Sequence, residues 1–449
     1  MKFFSLLLIG LITLPLGAVE RITLAEAARR AVERSPALRA AKAQVDEARR
    51  VRSEAVSKNY PRLDAGSSFT RGDSPVYAFA SLLDQRNFTA ANFDVGSLNH
   101  PGYVNNIKSY LRAGIPIFAG YEIQSYEKMA GLGVTQAERM SAGEAQSVRL
   151  AVVEAGIQTL QAKALGALLA ERIRASAEEI QSAQKLRAKG LVLGSDYFAA
   201  EAVLSGLKAW RVQMDKMAEG GQESLAVLLG LDPSAFELVG TLRGGGPAIP
   251  PLNDLIGLSR VNRADVQASA LAADRAEVAV FKEKSAILPR IDAMAQAETN
   301  TEDFSSNPSN RLVMLRAEWA LGDPGYGARR KKAEDLSRVE RQRQAATEEQ
   351  ARIEIIQSLR RYEAAVDALP LLEETVGKVQ QSLDLFRPLY REGRQSILDV
   401  LRAEEFLSRA ESMRLDALAQ IHLQRARTLA AAGILDEGVL GALSMAVDK

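Results

Sequence analysis

The two halves of the chain carry the same short motifs in the same order, and this duplication limits the folds that are open to it. Residues 24–65 align without gaps with residues 252–293, at a constant offset of 228. Leu111-Arg112-Ala113 recurs as Leu315-Arg316-Ala317, and residues 186–205 resemble residues 389–408. Because the repeat is far longer than the units that stack in solenoids, the sequence predicts one large unit duplicated head to tail.

Between the matching motifs the apolar residues follow a helical period. Thr23 and Glu26 form a capping box, which predicts a helix from Thr23 to Asn59 with a second copy over residues 251–287. Longer helices are predicted over residues 122–189, 195–229, 329–391 and 397–431, and Pro370 and Pro388 are expected to interrupt and kink the third. A helix of 65 residues reaches about 100 Å, which suits a protein that crosses a wide gap.

After Pro61 and Pro289 the apolar period changes from helical to two. The alternation predicts strands over residues 62–69, 107–115, 290–297 and 313–321, each with one apolar and one polar face. This pattern is typical of outer-membrane strands, although two soluble hairpins packed on helices would also produce it. About 24 extra residues in the first half fall within 72–106, where Phe79, Phe88 and Phe93 predict a structured loop.

Four strands cannot close a barrel, so a single chain would leave unpaired backbone groups in lipid. Two chains would supply eight strands around a bore filled by side chains, and three would supply twelve strands around a channel. The predicted fold is therefore mainly α with transmembrane β. Long helices act as the staves of an α-helical barrel, and each chain gives four β-strands to a barrel shared by at least three copies.

The first eighteen residues predict a secretory signal peptide, with the mature chain starting near Val19. No later run is apolar enough for a membrane helix.

The chain has no cysteine, which excludes disulfides, thiolate metal sites and a cysteine-borne lipid anchor. Its 57 basic and 56 acidic residues give no field that would attract nucleic acid. His100 and His422 lack partners at ligand spacing, so no metal site, cofactor or catalytic group is predicted.

The ordered motifs resemble those of the TolC-like outer-membrane efflux proteins over essentially the whole mature chain. The motifs that carry the resemblance are Ser35-Pro36-Ala37-Leu38, Tyr60-Pro61-Arg62-Leu63, Leu288-Pro289-Arg290-Ile291, Ile115-Pro116-Ile117-Phe118, and the segments 189–196 and 390–399. The resemblance implies a homotrimer with a twelve-stranded barrel in the outer membrane and a helical tunnel in the periplasm. It also implies an inner-membrane pump and a periplasmic adaptor protein as partners.

On this basis the chain is expected to comprise a signal peptide (1–18), a first repeat (19–230), an equatorial linker (231–251), a second repeat (252–431) and a C-terminal tail (432–449). The resemblance implies that Gly190 and Gly393 lie at the periplasmic tip, where adaptors dock, although both glycines would end helices in any fold. It implies a gate at the aperture formed by Tyr390, Asp399 and Arg402. Asp399 is equally suited to a helix first turn.

Some members of the family carry a second acidic residue where this chain has Arg402. Asp399 and Arg402 are spaced to pair across one helical turn, which argues against a doubly acidic ring. The predicted function is an outer-membrane exit duct of a tripartite efflux or secretion system, attached to the membrane by its barrel alone, and not an enzyme. The alternative is a soluble periplasmic coiled-coil scaffold or adaptor. The sequence indicates neither the substrate nor the class of pump.

Overall fold

The computed structural model describes residues 19–303 and 308–448, so the predicted signal peptide lies outside the described residues. The elements in chain order are β1 (Glu20–Ile22), α1 (Leu24–Arg34), α2 (Pro36–Ser57), β2 (Arg62–Gly72), α3 (Pro75–Asp84), α4 (Val95–Asn99), β3 (Val104–Ala119), α5 (Glu122–Ala188), α6 (Gly194–Leu229), β4 (Phe236–Leu238), α7 (Leu252–Asn262), α8 (Ala264–Lys282), β5 (Arg290–Thr301), β6 (Ser309–Glu318), α9 (Tyr326–Arg391), α10 (Ile397–Ala431) and α11 (Glu437–Asp448).

These elements form two compact units. One comprises the chain up to Ala41, Arg139–Gln267 and the chain from Ala346 onward, and the other comprises Lys42–Glu138 and Ala268–Ala345. Each repeat therefore contributes to both units, and the boundary between the units does not coincide with the boundary between the repeats.

The first helix of each repeat is broken into two. The sequence predicted continuous helices over residues 23–59 and 251–287, and this prediction was wrong. Thr23 caps α1 as expected, but the backbone turns extended at Ser35 and again at Arg263, the position that corresponds to Ser35 in the second repeat. Pro36 explains the first break, because a proline disfavours helical geometry in the residue before it. At the second break, Arg263 binds Asp265 at 2.8 Å. The duplication has thus preserved the break without preserving the proline.

The long helices have the predicted extents. Helix α5 has 67 residues and α9 has 66, and α9 continues through both Pro370 and Pro388. The expected interruption was therefore wrong. A proline inside a helix removes one hydrogen bond and costs about 3 kcal/mol. Helix α9 has many turns on either side of Pro370 to offset this cost, whereas Pro388 lies in its last turn.

The linker and the C-terminal tail of the first unit pack on the same apolar core. Strand β4, in the linker, pairs in parallel with β1, and apolar residues of α1, α5, α6, α10 and α11 pack around this pair. The linker continues along α10, where the fully buried His422 makes a 2.7 Å hydrogen bond from Nε2 to the carbonyl of Arg243. Burial lowers the pKa of the His422 imidazole. Arg425 contacts the carbonyl of Gly245 and the hydroxyl of Tyr362.

The second unit contains the predicted strands as one antiparallel sheet in the order β2-β3-β5-β6. All four strands are confirmed, with a bulge between Pro116 and Phe118. The last strand ends at Glu318 rather than at residue 321. Glu318 pairs with Arg290, and the next residue on that neighbouring strand is Pro289, which has no N–H group to continue the ladder.

The inserted loop is structured, as the sequence predicted. It forms α3, a short 3-10 helix (Ala90–Phe93) and α4. Phe88 makes edge-to-face contacts with Phe79 at 5.0 Å and with Phe93 at 5.3 Å. The Gln85 amide donates to the Asn105 carbonyl at 2.7 Å, which ties the loop to β3.

Candidate functional site at the helical turns

Two turns join the long helices of the first unit, and in both the preceding helix ends in the same way. Gly190 ends α5 with φ +72° and Gly393 ends α9 with φ +70°. In the first turn the Leu191 N–H donates to the Leu186 carbonyl, and in the second the Arg394 N–H donates to the Leu389 carbonyl. This is the Schellman arrangement, which needs a left-handed residue. Glycine adopts that conformation without strain, so both glycines have a local structural role.

A polar contact joins the two turns. Ser396 caps α10 by accepting from the Leu398 N–H, and its hydroxyl donates to the Asp196 carboxylate at 2.7 Å. Asp196 stands in the first turn of α6. A carboxylate at a helix N-terminus is favoured by the helix dipole, so Asp196 stabilises its own helix while binding the cap of the other. Asp196 and Ser396 lie 200 positions apart, and the sequence did not predict their contact.

The three predicted gate residues lie close together in sequence but in different surroundings. Asp399 accepts a hydrogen bond from the Gln395 amide at 2.6 Å. Arg402 is exposed, and within the described ranges no carboxylate lies within 4.0 Å of it. The pairing between Asp399 and Arg402 for which the sequence is spaced is therefore not formed within the protomer. The side-chain amide of Gln395, rather than Arg402, is the hydrogen-bond partner of the Asp399 carboxylate.

Tyr390 is buried rather than exposed at an opening. Its ring is 4% exposed and packs with apolar residues from α5, α6, α9 and α10. Its hydroxyl has no hydrogen-bond partner among the described residues. Burial, together with the nearby carboxylate of Glu179, raises the pKa of the Tyr390 hydroxyl. Tyr390 therefore contributes to the packing of the helices behind the turns.

A buried charge network lies behind the turns, and it was not predicted from the sequence. Glu404 on α10 has no exposed surface; it contacts the guanidinium of Arg387 and lies 3.8 Å from that of Arg172. Arg172 also binds Glu411 at 2.8 Å. Burial raises the pKa of the Glu404 carboxyl, and the attraction of Arg387 and Arg172 lowers it by less. The only feature of the sequence that singled out Glu404 was the repeated Ala-Glu motif, which occurs as Ala200-Glu201 and Ala403-Glu404.

The sheet of the second unit presents one apolar and one polar face. One row of paired residues across the four strands lies on the apolar face and consists of Leu63, Ala113, Ala295 and Val313. The next row lies on the opposite face and consists of Asp64, Arg112, Gln296 and Leu312. On the apolar face Leu63 is 70% exposed and Leu315 is 71% exposed. An exposed apolar surface of this kind is unusual in a soluble protein and marks a membrane or protein contact. None of the helices in the described part of the chain is long and apolar enough to span a membrane.

In the same described ranges, no three His, Asp or Glu side chains come together as a possible metal site. His100 is exposed, and His422 binds the linker carbonyl described above.

The chain matches the model of one protein family. Residues 27–231 and 255–433 fit the family described as outer membrane efflux protein. No curated protein matches the chain in sequence.

Solved structures show the same fold at low sequence identity. A membrane protein from Pseudomonas aeruginosa is 16% identical, with a TM-score of 0.80 over 93% of this chain and 91% of that one. CusC, described in terms of transmembrane channel formation, is 16% identical, with a TM-score of 0.78 over 92% of each chain. The outer membrane protein VceC from Vibrio cholerae is 18% identical, with a TM-score of 0.76 over 91% and 96%.

Proposed function

Because the chain belongs to the outer membrane efflux protein family, we propose that it forms the exit duct of a tripartite efflux or secretion system. The channels of this family are transport proteins rather than enzymes. The observation that carries the proposal is the antiparallel sheet, which exposes apolar side chains on one face and leaves β2 and β6 as open edges. An open edge in lipid must be paired, and the edges of further copies provide the pairing.

The assembly is a homotrimer in which three sheets close a twelve-stranded barrel in the outer membrane. Eight strands enclose a bore that side chains fill, whereas twelve leave room for a channel. The helices extend into the periplasm, and the linker 231–251 and the tail 432–449 form a belt around them. The mature chain begins near Val19 after removal of the signal peptide 1–18, and without cysteine it carries no cysteine-linked lipid.

The partners are a periplasmic adaptor protein and an inner-membrane pump, and the adaptor docks at the turns that contain Gly190 and Gly393. The gate comprises Tyr390, Asp399 and Arg402. The burial of Tyr390 supports a packing role for it behind the turns. The exposure of Arg402 leaves it available to a carboxylate of a neighbouring copy.

Cell fractionation tests the proposal against the alternative of a soluble periplasmic scaffold. We expect the protein in the outer membrane, extractable only with detergent. Recovery in the soluble periplasm would support the scaffold and contradict the channel. A deletion strain challenged with drugs, metals and secreted proteins would then identify the substrate through the sensitivity or secretion defect that the wild-type gene restores.

The gate is tested by replacing both Asp399 and Arg402 with alanine. If they hold the aperture closed, single-channel conductance in planar bilayers rises, because the polar contacts that narrow the opening are lost. Unchanged conductance of intact assemblies refutes the gate.

A further inference from the structure

The surface formed by the two turns is strongly basic. We call residues 185–197 and 388–402 the turn surface. It carries six basic side chains, all exposed, which are Lys185, Arg187, Lys189, Arg391, Arg394 and Arg402, and three acidic ones, which are Asp196, Glu392 and Asp399. Its net charge is three positive, although the whole chain carries only +1. Positive charge is therefore concentrated at the turns.

Four of the six basic side chains of the turn surface have no carboxylate within 4.0 Å in the described part of the chain, whereas Arg391 pairs with Glu179 at 3.9 Å and Arg394 with Glu392 at 3.6 Å. Within the described part of the protomer, no carboxylate lies within 4.0 Å of Lys185, Lys189 or Arg402. Arg187 lies over the rings of Tyr197 and Phe198 instead of pairing with an acid.

The acidic side chains of the same surface have other partners. Asp196 is held by Ser396 and Asp399 by Gln395, both of which are neutral. Only Glu392 pairs with a basic residue of the turn surface, Arg394, at 3.6 Å. Both members of that pair are well exposed, so solvent screens the attraction. The excess positive charge consequently faces solvent.

The polar face of the sheet in the second unit does not offset this charge. The register places five basic residues on that face, which are Arg62, Lys108, Arg112, Arg290 and Arg316, and four acidic ones, which are Asp64, Asp292, Glu298 and Glu318. Arg112 binds the amide oxygen of Gln296 at 2.9 Å and has no carboxylate within 4.0 Å among the described residues. The face thus has no acidic excess that would favour cations.

We propose that the turn surface selects anionic solutes for passage through the duct. The inference rests on the proposed function, in which the turns of several copies surround the entrance. Charges of one sign around a narrow opening with low-dielectric walls focus the field and raise the local concentration of the opposite ion. The substrates are accordingly expected to be anionic at neutral pH, with carboxylate, phosphate or sulfonate groups as the recognised chemistry.

The test is the reversal potential of purified assemblies in planar bilayers under a KCl gradient. At about 0.1 M salt the screening length is about 10 Å, so charges at the entrance should act on passing ions. We expect chloride to permeate at least about twofold better than potassium, with the preference shrinking at about 1 M salt. The double variant Lys189→Glu and Arg394→Glu, with one change in each turn, should reverse the preference.

A matched control makes the same charge change elsewhere on the helices that carry the turns. Lys216 on α6 and Lys378 on α9 are exposed and pair with Glu219 and Glu374. Lys216→Glu with Lys378→Glu should leave the ion preference unchanged, and Lys189→Arg with Arg394→Lys should keep it.

The outcomes separate the inference from the proposed function. A conducting channel that prefers potassium, or one whose preference survives the double charge reversal, overturns the inference and leaves the duct intact. The inference is also overturned if the Lys216→Glu and Lys378→Glu control changes the ion preference as much as the Lys189→Glu and Arg394→Glu variant does. The change would then result from the overall charge of the protein rather than from the turn surface. Intact assemblies that do not conduct even when Asp399 and Arg402 are both replaced with alanine contradict the duct and the inference together.

Discussion

The carboxyl group of Glu404 has no exposed surface and lies between two guanidinium groups, whereas the neighbouring Glu405 is partly exposed and pairs with Arg409. Adjacent positions of α10 therefore carry a glutamate in a buried ion pair, Glu404, and a glutamate in a solvated ion pair, Glu405. Removing a partner of a buried charge costs far more than removing a partner of an exposed one, because the buried charge is left without compensation.

We expect Arg387→Met to lower the free energy of unfolding by about 3–5 kcal/mol at neutral pH, because the Glu404 carboxylate keeps only Arg172, at 3.8 Å. The matched change Arg409→Met should cost less than about 1 kcal/mol. Denaturant unfolding of the detergent-solubilised protein measures both. Equal losses would mean that the Glu404 network has no greater effect on stability than a surface pair.

The pH dependence of stability gives a second test of Glu404. Because burial holds its pKa above the usual value of 4.5, the stability that Glu404 contributes is complete below pH 4.5 and is lost as the pH rises through the folded-state pKa. Glu404→Gln is uncharged at every pH and lacks this loss. The unfolding free energy of the wild type minus that of the variant should therefore be larger at about pH 4 than at about pH 8. If this difference in unfolding free energy grew with pH, the pKa of Glu404 would be lowered in the folded state, which would contradict the prediction.

The helices and strands could be predicted closely because their signals are local. The capping box at Thr23, the change of period after Pro61 and the glycines that end α5 and α9 are each contained within a few residues. Both helix breaks were missed, the one at Ser35 although Pro36 follows it and the one at Arg263, which no proline marks. Burial of Glu404 was missed because its partners, Arg172 and Arg387, come from two other helices, and no sequence spacing reports which helices pack together.

The two faces of β6 support a prediction about membrane insertion. Leu315 is on the apolar face and the adjacent Met314 is on the polar face. An arginine on the lipid-facing side of an outer-membrane strand costs about 2–4 kcal/mol near the bilayer centre, so Leu315→Arg should sharply reduce the amount of folded assembly in the outer membrane. Met314→Arg should have little effect. Equal yields of the two variants would contradict the assignment of the faces.

The assembly as a whole is constrained by the sheet rather than by the helices. Each chain has a four-stranded sheet with two unpaired edges, β2 and β6, and the number of strands needed to close a conducting barrel determines the number of copies. The family match and the fold establish the kind of protein, and the strand count leads from there to the trimer. Long helices by themselves are equally compatible with a scaffold.

Native mass spectrometry of the detergent-extracted protein therefore tests the account most directly. We predict a single dominant species with the mass of three mature chains, because three sheets supply the twelve strands that leave an open channel. A stable monomer or dimer as the dominant species would contradict the account, since four or eight strands do not enclose a conducting pore.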